Sequence, residues 1–124
     1  MTSIPTTLGP RSSSELGFML PHEHVFVDLR TWDTPGYAQA EVEDVVRLMV
    51  PELTKAHAAG VSAIVECSTI GVGRRADIDR AVSEAAQLPV VGIMAPDEDL
   101  RRRLMNCEKN METYANVCIM KPKP

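Results

Sequence analysis

Cysteines are few in this sequence, and their positions fit neither a disulfide framework nor a metal cluster. Cys67, Cys107 and Cys118 are odd in number and far apart, and none forms a Cys-x-x-Cys pair. Free thiols in a reducing compartment are therefore expected. A catalytic cysteine would need a base and an orienting group beside it, and the sequence indicates no such group for any of the three.

Long hydrophobic runs and an excess of positive charge are absent as well. No stretch approaches the roughly 20 consecutive apolar residues of a membrane-spanning helix. The N-terminal region lacks the basic start and the apolar core of a secretory signal. The formal net charge of −4 provides no basic field for a polyanion. These absences predict a cytoplasmic protein that binds neither membranes nor nucleic acids.

Hydrophobic residues make up 44% of the 124-residue chain, and charged residues make up 24%. These fractions are typical of an ordinary folded protein and argue against intrinsic disorder. The length allows one domain with a genuine hydrophobic core, but not two domains of ordinary size.

Two histidines separated by one residue are the main candidates for function. His22 and His24 stand near the end of a short apolar run, residues 16–25. If the run is a β-strand, its alternation places both histidines on one face and Glu23 on the other. Imidazole nitrogens bind zinc and similar divalent ions, so the pair could supply two of the three or four ligands that such an ion needs. The alternative is that both histidines lie in a polar loop at the strand end.

The next segments read as a helix followed by a strand. Apolar residues recur at spacings of three and four over residues 38–59, which predicts an amphipathic helix. Pro51 should kink or split this helix, and Gly60 should end it. The compact β-branched run at residues 61–68 then predicts a buried strand.

A second helix is predicted over residues 78–87, with Asp77 as its N-cap and Ile78, Ala81, Val82 and Ala85 on its apolar face. Residues 88–95 predict a third strand, with Pro89 at its start where a missing N–H does least harm. The order β-α-β-α-β predicts a parallel sheet with right-handed crossovers.

Three further residues have two interpretations each. Glu66, at the end of the second predicted strand, could accept a hydrogen bond from a ligand histidine or could be an exposed carboxylate. Trp32 could line a pocket beside the histidines, although a single tryptophan is more often a packing residue. His57 lies near the C-terminal end of its predicted helix, where a surface position or an interaction with the helix dipole explains it better than metal binding.

Residues 17–25 (GFMLPHEHV) closely resemble the N-terminal signature of the phosphotriesterase family of the amidohydrolase superfamily. In that signature Gly-x-Thr-Leu-x-His-Glu-His precedes an aliphatic residue, and Met19 stands here in place of the threonine. The resemblance continues through residues 26–30 (FVDLR) and residues 59–66. It also includes the Gly-Arg turn at residues 73–74, with Arg75 in place of an aspartate. It covers about residues 6 to 96.

The resemblance implies a (β/α)8 barrel that holds two divalent ions, usually zinc, and hydrolyses a small-molecule ester such as a phosphotriester or a lactone through a metal-activated water. His22 and His24 would hold one of these ions at the C-terminal end of the first barrel strand. A complete barrel typically has about 250 residues. Residues 1–96 would therefore form the N-terminal portion of a barrel, about three parallel strands with crossover helices. Residues 97–124 do not match the family, and helical spacing predicts a divergent C-terminal helix.

A second interpretation is a non-catalytic remnant, a truncated product or an interaction fragment with at most weak zinc binding. The family's metal-bridging carboxylated lysine, two further histidines and a catalytic aspartate come from later strands, and no residue here matches those motifs. Three strands of a barrel would also leave two open edges and an uncovered inner face. We therefore expect the chain to self-associate or to pack loosely.

Overall fold

A computed structural model describes residues 3–92 of the chain. Their main feature is a three-stranded parallel sheet, against which two helices pack to form the hydrophobic core. A short antiparallel pair of strands precedes the sheet. In chain order the elements are β1 (Ser3–Ile4), β2 (Arg11–Ser12), β3 (Met19–Glu23), α1 (Val42–Ala58), β4 (Ala63–Glu66), a 3-10 turn (Ile70–Val72), α2 (Ala76–Ala86) and β5 (Val90–Gly92).

The strand order in the main sheet is β3-β4-β5, and both neighbouring pairs are parallel. Helix α1 connects β3 to β4, and α2 connects β4 to β5. The predicted β-α-β-α-β order and the parallel sheet are therefore confirmed. Both later strands begin after their predicted starts: β4 begins at Ala63, and β5 begins at Val90, directly after Pro89.

Helix α1 is a single α-helix of 17 residues that runs through Pro51. Of the two predicted effects of this proline, the split is therefore wrong, and the kink stays a prediction. Pro51 is exposed, and water can therefore solvate the carbonyl group that has lost its partner. The buried Leu53 and the partly buried Met49 and Val50 pack against the core on both sides of the proline and hold the helix in place.

The start of α1 differs from the predicted start, whereas its end agrees with the prediction. The helix begins later than predicted, because Ala38 has a positive φ of 56° and its N–H donates to the carboxylate of Asp28. Gly60 ends the helix as predicted. It has a φ of 101°, its N–H donates to the carbonyl of His57, and the N–H of Val61 donates to the carbonyl of Ala56. This pattern is a Schellman motif, which needs glycine at the left-handed position.

Helix α2 begins at Ala76 with Arg75 in the N-cap position, so the prediction of Asp77 as N-cap is wrong. Asp77 lies in the first turn, where its carboxylate accepts hydrogen bonds from the guanidinium of Arg75 at 2.8 and 2.7 Å. Arg75 also donates to the carbonyl of Ala38 at 2.9 Å. Arg75 therefore ties α2 to the segment before α1.

The buried face of α2 differs in part from the predicted one. Ile78 and Val82 are completely buried, as expected, but Ala85 is exposed and Ala86 is buried in its place. The core that α1, α2 and the sheet share consists of Val25, Leu53, Val61, Ile64, Ile78, Val82, Ala86, Leu88 and Val90.

Several predictions concern residues outside the part of the chain that the structure describes. These are the continuation of the third strand beyond Gly92, the C-terminal helix, the boundary at residues 96 and 97, and the environments of Cys107 and Cys118. Cys67, which does lie within the described part, is a free and partly exposed thiol. In residues 3–92 no helix has the length and apolarity needed to cross a membrane.

Candidate metal site

The two predicted ligand histidines lie side by side at the carboxyl end of β3. His22 is the fourth residue of the strand, and His24 follows it directly. Their ring centroids are 5.1 Å apart, with the ring planes at 72° to each other. Both side chains are exposed. In (β/α)8 barrels the functional groups lie at the carboxyl ends of the parallel strands.

The β3–β4 ladder has one irregularity, and it falls at Pro21 and His22. Leu20 pairs with Ile64, whereas Glu23 pairs with Glu66. Strand β3 therefore has one more residue than β4 between these two pairs. Proline has no N–H to offer the ladder and is tolerated in sheets at such bulges.

The bulge decides which face of the sheet carries His22, because a shift of one residue moves side chains to the other face. Leu20 and Ile64 pack in the helix-covered core. Glu23 shares that face with Glu66 through their pairing. His22, the neighbour of Glu23, therefore lies on the face turned away from the helices. Without the bulge, regular alternation from Leu20 would place the His22 side chain on the face that the helices cover.

The geometry of the pair fits a shared divalent ion. Two histidines that bind one zinc ion tetrahedrally, each with a ring nitrogen about 2.1 Å from the metal, have ring centroids about 5 Å apart. The observed separation of 5.1 Å matches this value. Imidazole nitrogens are also a suitable donor set for zinc. Residues 3–92 contain no group of three or more His, Cys, Asp and Glu side chains that could hold a metal ion.

Glu66 is completely buried, so the alternative of an exposed carboxylate does not apply. Its carboxylate accepts hydrogen bonds from the backbone N–H groups of Val25 at 3.4 Å and of Ser68 at 3.2 Å. The hydroxyl of Ser68 also donates to it. The same hydroxyl lies 3.0 Å from Nδ1 of His24. The contact between Glu66 and the histidine pair therefore runs through Ser68.

Sequence reasoning missed Ser68. A signal for it existed, because Ser68 stands two residues after Glu66 at the end of a predicted strand, where alternation brings polar side chains to one side. A serine is common in such loops, however, and its contact with His24 joins residues 44 positions apart. Only the packing of β3 beside β4 creates that contact.

The segment after the histidines is anchored at Asp28, which is almost fully buried. The guanidinium of Arg30 donates to both oxygens of this carboxylate, and the N–H of Ala38 donates to one of them at 2.9 Å. Arg30 and these backbone donors hold the pKa of Asp28 well below its usual range. The backbone N–H of Asp28 also donates to the carbonyl of Val72 at 2.8 Å. These bonds fix the loop that follows the histidine pair.

Two other predicted residues take no part in the histidine pair. His57 is exposed in the last turn of α1, which leads into the amino end of β4, so it lies at the opposite edge of the sheet. This agrees with its assignment to the helix end. Trp32 is half exposed in the loop after β3. Whether it packs or lines a pocket stays a prediction.

The comparisons with known proteins agree with the family that the sequence resembles. The model of the phosphotriesterase family matches residues 2–99. The "Phosphotriesterase homology protein" from two strains of Mycobacterium tuberculosis is 32% identical over 93 residues. The match covers 73% of this chain but spans only 28% of the length of these curated relatives.

Solved structures give the same result. The structure of the phosphotriesterase from Mycobacterium tuberculosis superposes with a TM-score of 0.63 at 31% identity, over 73% of this chain and 28% of that one. A mutant organophosphorus hydrolase from Deinococcus radiodurans superposes with a TM-score of 0.59 at 29% identity, over 74% of this chain and 28% of that one. The three described strands and their helices correspond to part of a (β/α)8 barrel. On these matches, the chain belongs to the phosphotriesterase family.

Proposed function

We propose that this chain supplies the first metal-ligand pair of a metal-dependent hydrolase that acts on a small-molecule ester, such as a phosphotriester or a lactone. The observation that carries the proposal is the approach of the His22 and His24 rings to 5.1 Å at the carboxyl edge of the sheet. Family membership supports it, since the chain matches the phosphotriesterase family over residues 2–99. In the complete barrel two divalent ions are proposed, with zinc as the expected metal.

Different residues bind the metal ion and position the loop in the proposed site. His22 and His24 would hold one ion, which when bound lowers the pKa of a coordinated water and polarises the ester oxygen under attack. The ion pair between Asp28 and Arg30 holds the loop that follows the two histidines in place beside the carboxyl end of β3. The remaining ligands and the group that handles the proton would come from outside residues 3–92.

Calorimetric titration with zinc tests the ligand assignment. We expect weak uptake by the parent chain, because two histidines leave most of the coordination shell to water. His22→Ala and His24→Ala should each lose this uptake. His57→Ala is the matched control, because it removes an exposed histidine at the opposite edge of the sheet. Equal zinc uptake by all four proteins would contradict the assignment.

A second candidate function is a non-catalytic fragment that binds zinc weakly. The absence of any cluster of three potential metal ligands within residues 3–92 favours it. An assay of phosphotriester and lactone hydrolysis with added zinc, cobalt or manganese separates the two candidates. We expect the chain alone to give no turnover above background. Turnover that disappears in His22→Ala would refute the second candidate and indicate a site completed by self-association.

A further inference from the structure

Three polar side chains form a line from the core to the candidate metal site. Nδ1 of His24 lies 3.0 Å from Oγ of Ser68, and the Ser68 hydroxyl is hydrogen-bonded to the carboxylate of Glu66. Glu66 is completely buried, Ser68 is 3% exposed and His24 is exposed. The Ser68 hydroxyl therefore connects the buried carboxylate of Glu66 to the exposed imidazole of His24.

Glu66 is a fixed acceptor because backbone groups hold it. The N–H of Ser68 lies 3.2 Å from both carboxylate oxygens, and the N–H of Val25 lies 3.4 Å from one of them. Every one of these groups can only donate. A carboxylate can only accept, so the Ser68 hydroxyl donates to it as well.

A hydroxyl has one proton to donate. If Ser68 donates it to Glu66, the Ser68 oxygen can act only as an acceptor toward His24. Nδ1 of His24 must then carry a proton. If the hydroxyl donated to Nδ1 instead, the oxygens of Ser68 and Glu66 would be in close contact with no proton between them. The carbonyl of Phe26, at 3.4 Å, is a more distant acceptor for the same hydroxyl.

We propose that Ser68 and Glu66 form a positioning pair that holds His24 in the Nδ1–H tautomer, which leaves Nε2 free to bind the metal ion. A ligand histidine commonly donates its other ring N–H to an oxygen acceptor, and this partner fixes the orientation of the ring. Here the acceptor is a serine hydroxyl, and the buried carboxylate acts through it. The inference rests on the proposed metal site. Its first test, however, needs no metal.

The test is the tautomer of His24 in the metal-free chain, measured from long-range nitrogen–proton NMR correlations at about pH 8, where histidine is ordinarily neutral. We expect the Nδ1–H form for His24. Within residues 3–92 the structure shows no hydrogen bond to the His22 ring, so His22 serves as an internal reference that Ser68 substitutions should leave unchanged.

Two substitutions separate positioning from a merely structural role. Ser68→Ala should shift His24 toward the Nε2–H form, whereas Ser68→Thr, which keeps the hydroxyl, should retain the parent spectrum. Ser13→Ala, at an exposed serine, is the control. A His24 ring that is mainly Nε2–H in the parent chain would overturn the proposal even if Ser68→Ala failed to fold. An unchanged Nδ1–H fraction in a folded Ser68→Ala would overturn it as well.

Zinc titration then separates this inference from the proposed function. Loss of such a partner typically weakens metal binding about 10- to 100-fold, which is the loss we expect in Ser68→Ala. If zinc uptake does not depend on His24 while the tautomer behaves as expected, the positioning pair stands and the proposed function fails. If uptake depends on both histidines but Ser68→Ala changes neither tautomer nor affinity, the positioning pair fails alone.

Discussion

Thr7 and Val90, which lie 83 residues apart in the chain, bind each other through two hydrogen bonds. The N–H of Thr7 donates to the carbonyl of Val90, and the Thr7 hydroxyl oxygen accepts from the N–H of Val90, both at 3.0 Å. The Thr7 hydroxyl also contacts the hydroxyl of Ser83, which donates to the carbonyl of Leu88 at 2.7 Å. The N-terminal segment therefore covers the start of β5 and satisfies its backbone.

Thr7→Val should destabilise the fold, because it keeps the shape of the side chain but leaves the N–H of Val90 without a partner and removes the contact with the Ser83 hydroxyl. An unsatisfied buried polar group costs about 1–3 kcal/mol. Urea unfolding measures the loss. Thr54→Val is the control, since Thr54 is exposed on α1. Equal stability of the two variants would show that the hydrogen bonds of the Thr7 hydroxyl do not stabilise the fold.

Gly73→Ala should cost more stability than Gly60→Ala. Both glycines have positive φ, 81° and 101°, so each substitution carries a backbone cost of about 1 kcal/mol. A Cβ at Gly60 would meet nothing within 4 Å, but a Cβ at Gly73 would lie 2.9 Å from Cβ of Asp28 and 3.0 Å from its backbone nitrogen. Overpacking of this kind adds about 1–3 kcal/mol. Unfolding of both variants in urea gives the comparison, and equal losses would contradict close contact between the turn and Asp28.

Asp79→Asn should change how stability depends on pH. Burial raises the pKa of Asp79 to about 7, with a further contribution from the negative charge of Glu66, while Arg74 opposes the shift and Asp77 adds to it. Between pH values of about 4 and 7 the folded state holds a proton that the unfolded state has lost. The stability of the parent chain should therefore fall as pH rises through this window.

The asparagine variant avoids this penalty. At about pH 8 it should be more stable than the parent by up to about 4 kcal/mol, given about 1.4 kcal/mol for each unit of pKa, and the advantage should disappear near pH 4. Thermal or urea unfolding across this range measures the difference. Asp33→Asn, at an exposed aspartate, should show no such trend. A stability difference that is independent of pH would refute the prediction.

We expect the isolated chain to self-associate. In the sheet formed by residues 3–92, β3 and β5 are edge strands. Thr7 already pairs with β5 at Val90, whereas no described strand lies beside the outer edge of β3, and unpaired strand edges favour association. Several large apolar side chains are also exposed, with Leu29 at 83% and Phe18 at 64%. Sedimentation at micromolar concentration measures the oligomeric state. A monodisperse monomer with a cooperative melt and a fixed near-ultraviolet signal from Trp32 would contradict this expectation.

The order of strands and helices could be predicted from the sequence because each element carries a local signal. Apolar spacing marked both helices, and the β-branched run before Glu66 marked β4. Gly60 was recognised as the end of α1 because only the local backbone decides where a left-handed residue is needed. The split at Pro51 and the N-cap role of Asp77 are wrong predictions, because packing on both sides of the proline and the pairing of Asp77 with Arg75 override the local preferences.

The sequence by itself determined the family and the nearness of the two histidines, since a His-x-His spacing restricts how far apart the rings can lie. Only the tertiary structure decided which face of the sheet His22 occupies, because the register of β3 against β4 shifts between Leu20 and Glu23. The same holds for the contact of His24 with Ser68 and Glu66, which requires two strands from distant parts of the chain to lie side by side. Strand register and long-range hydrogen bonds depend on pairs of segments, so no single stretch of sequence specifies them.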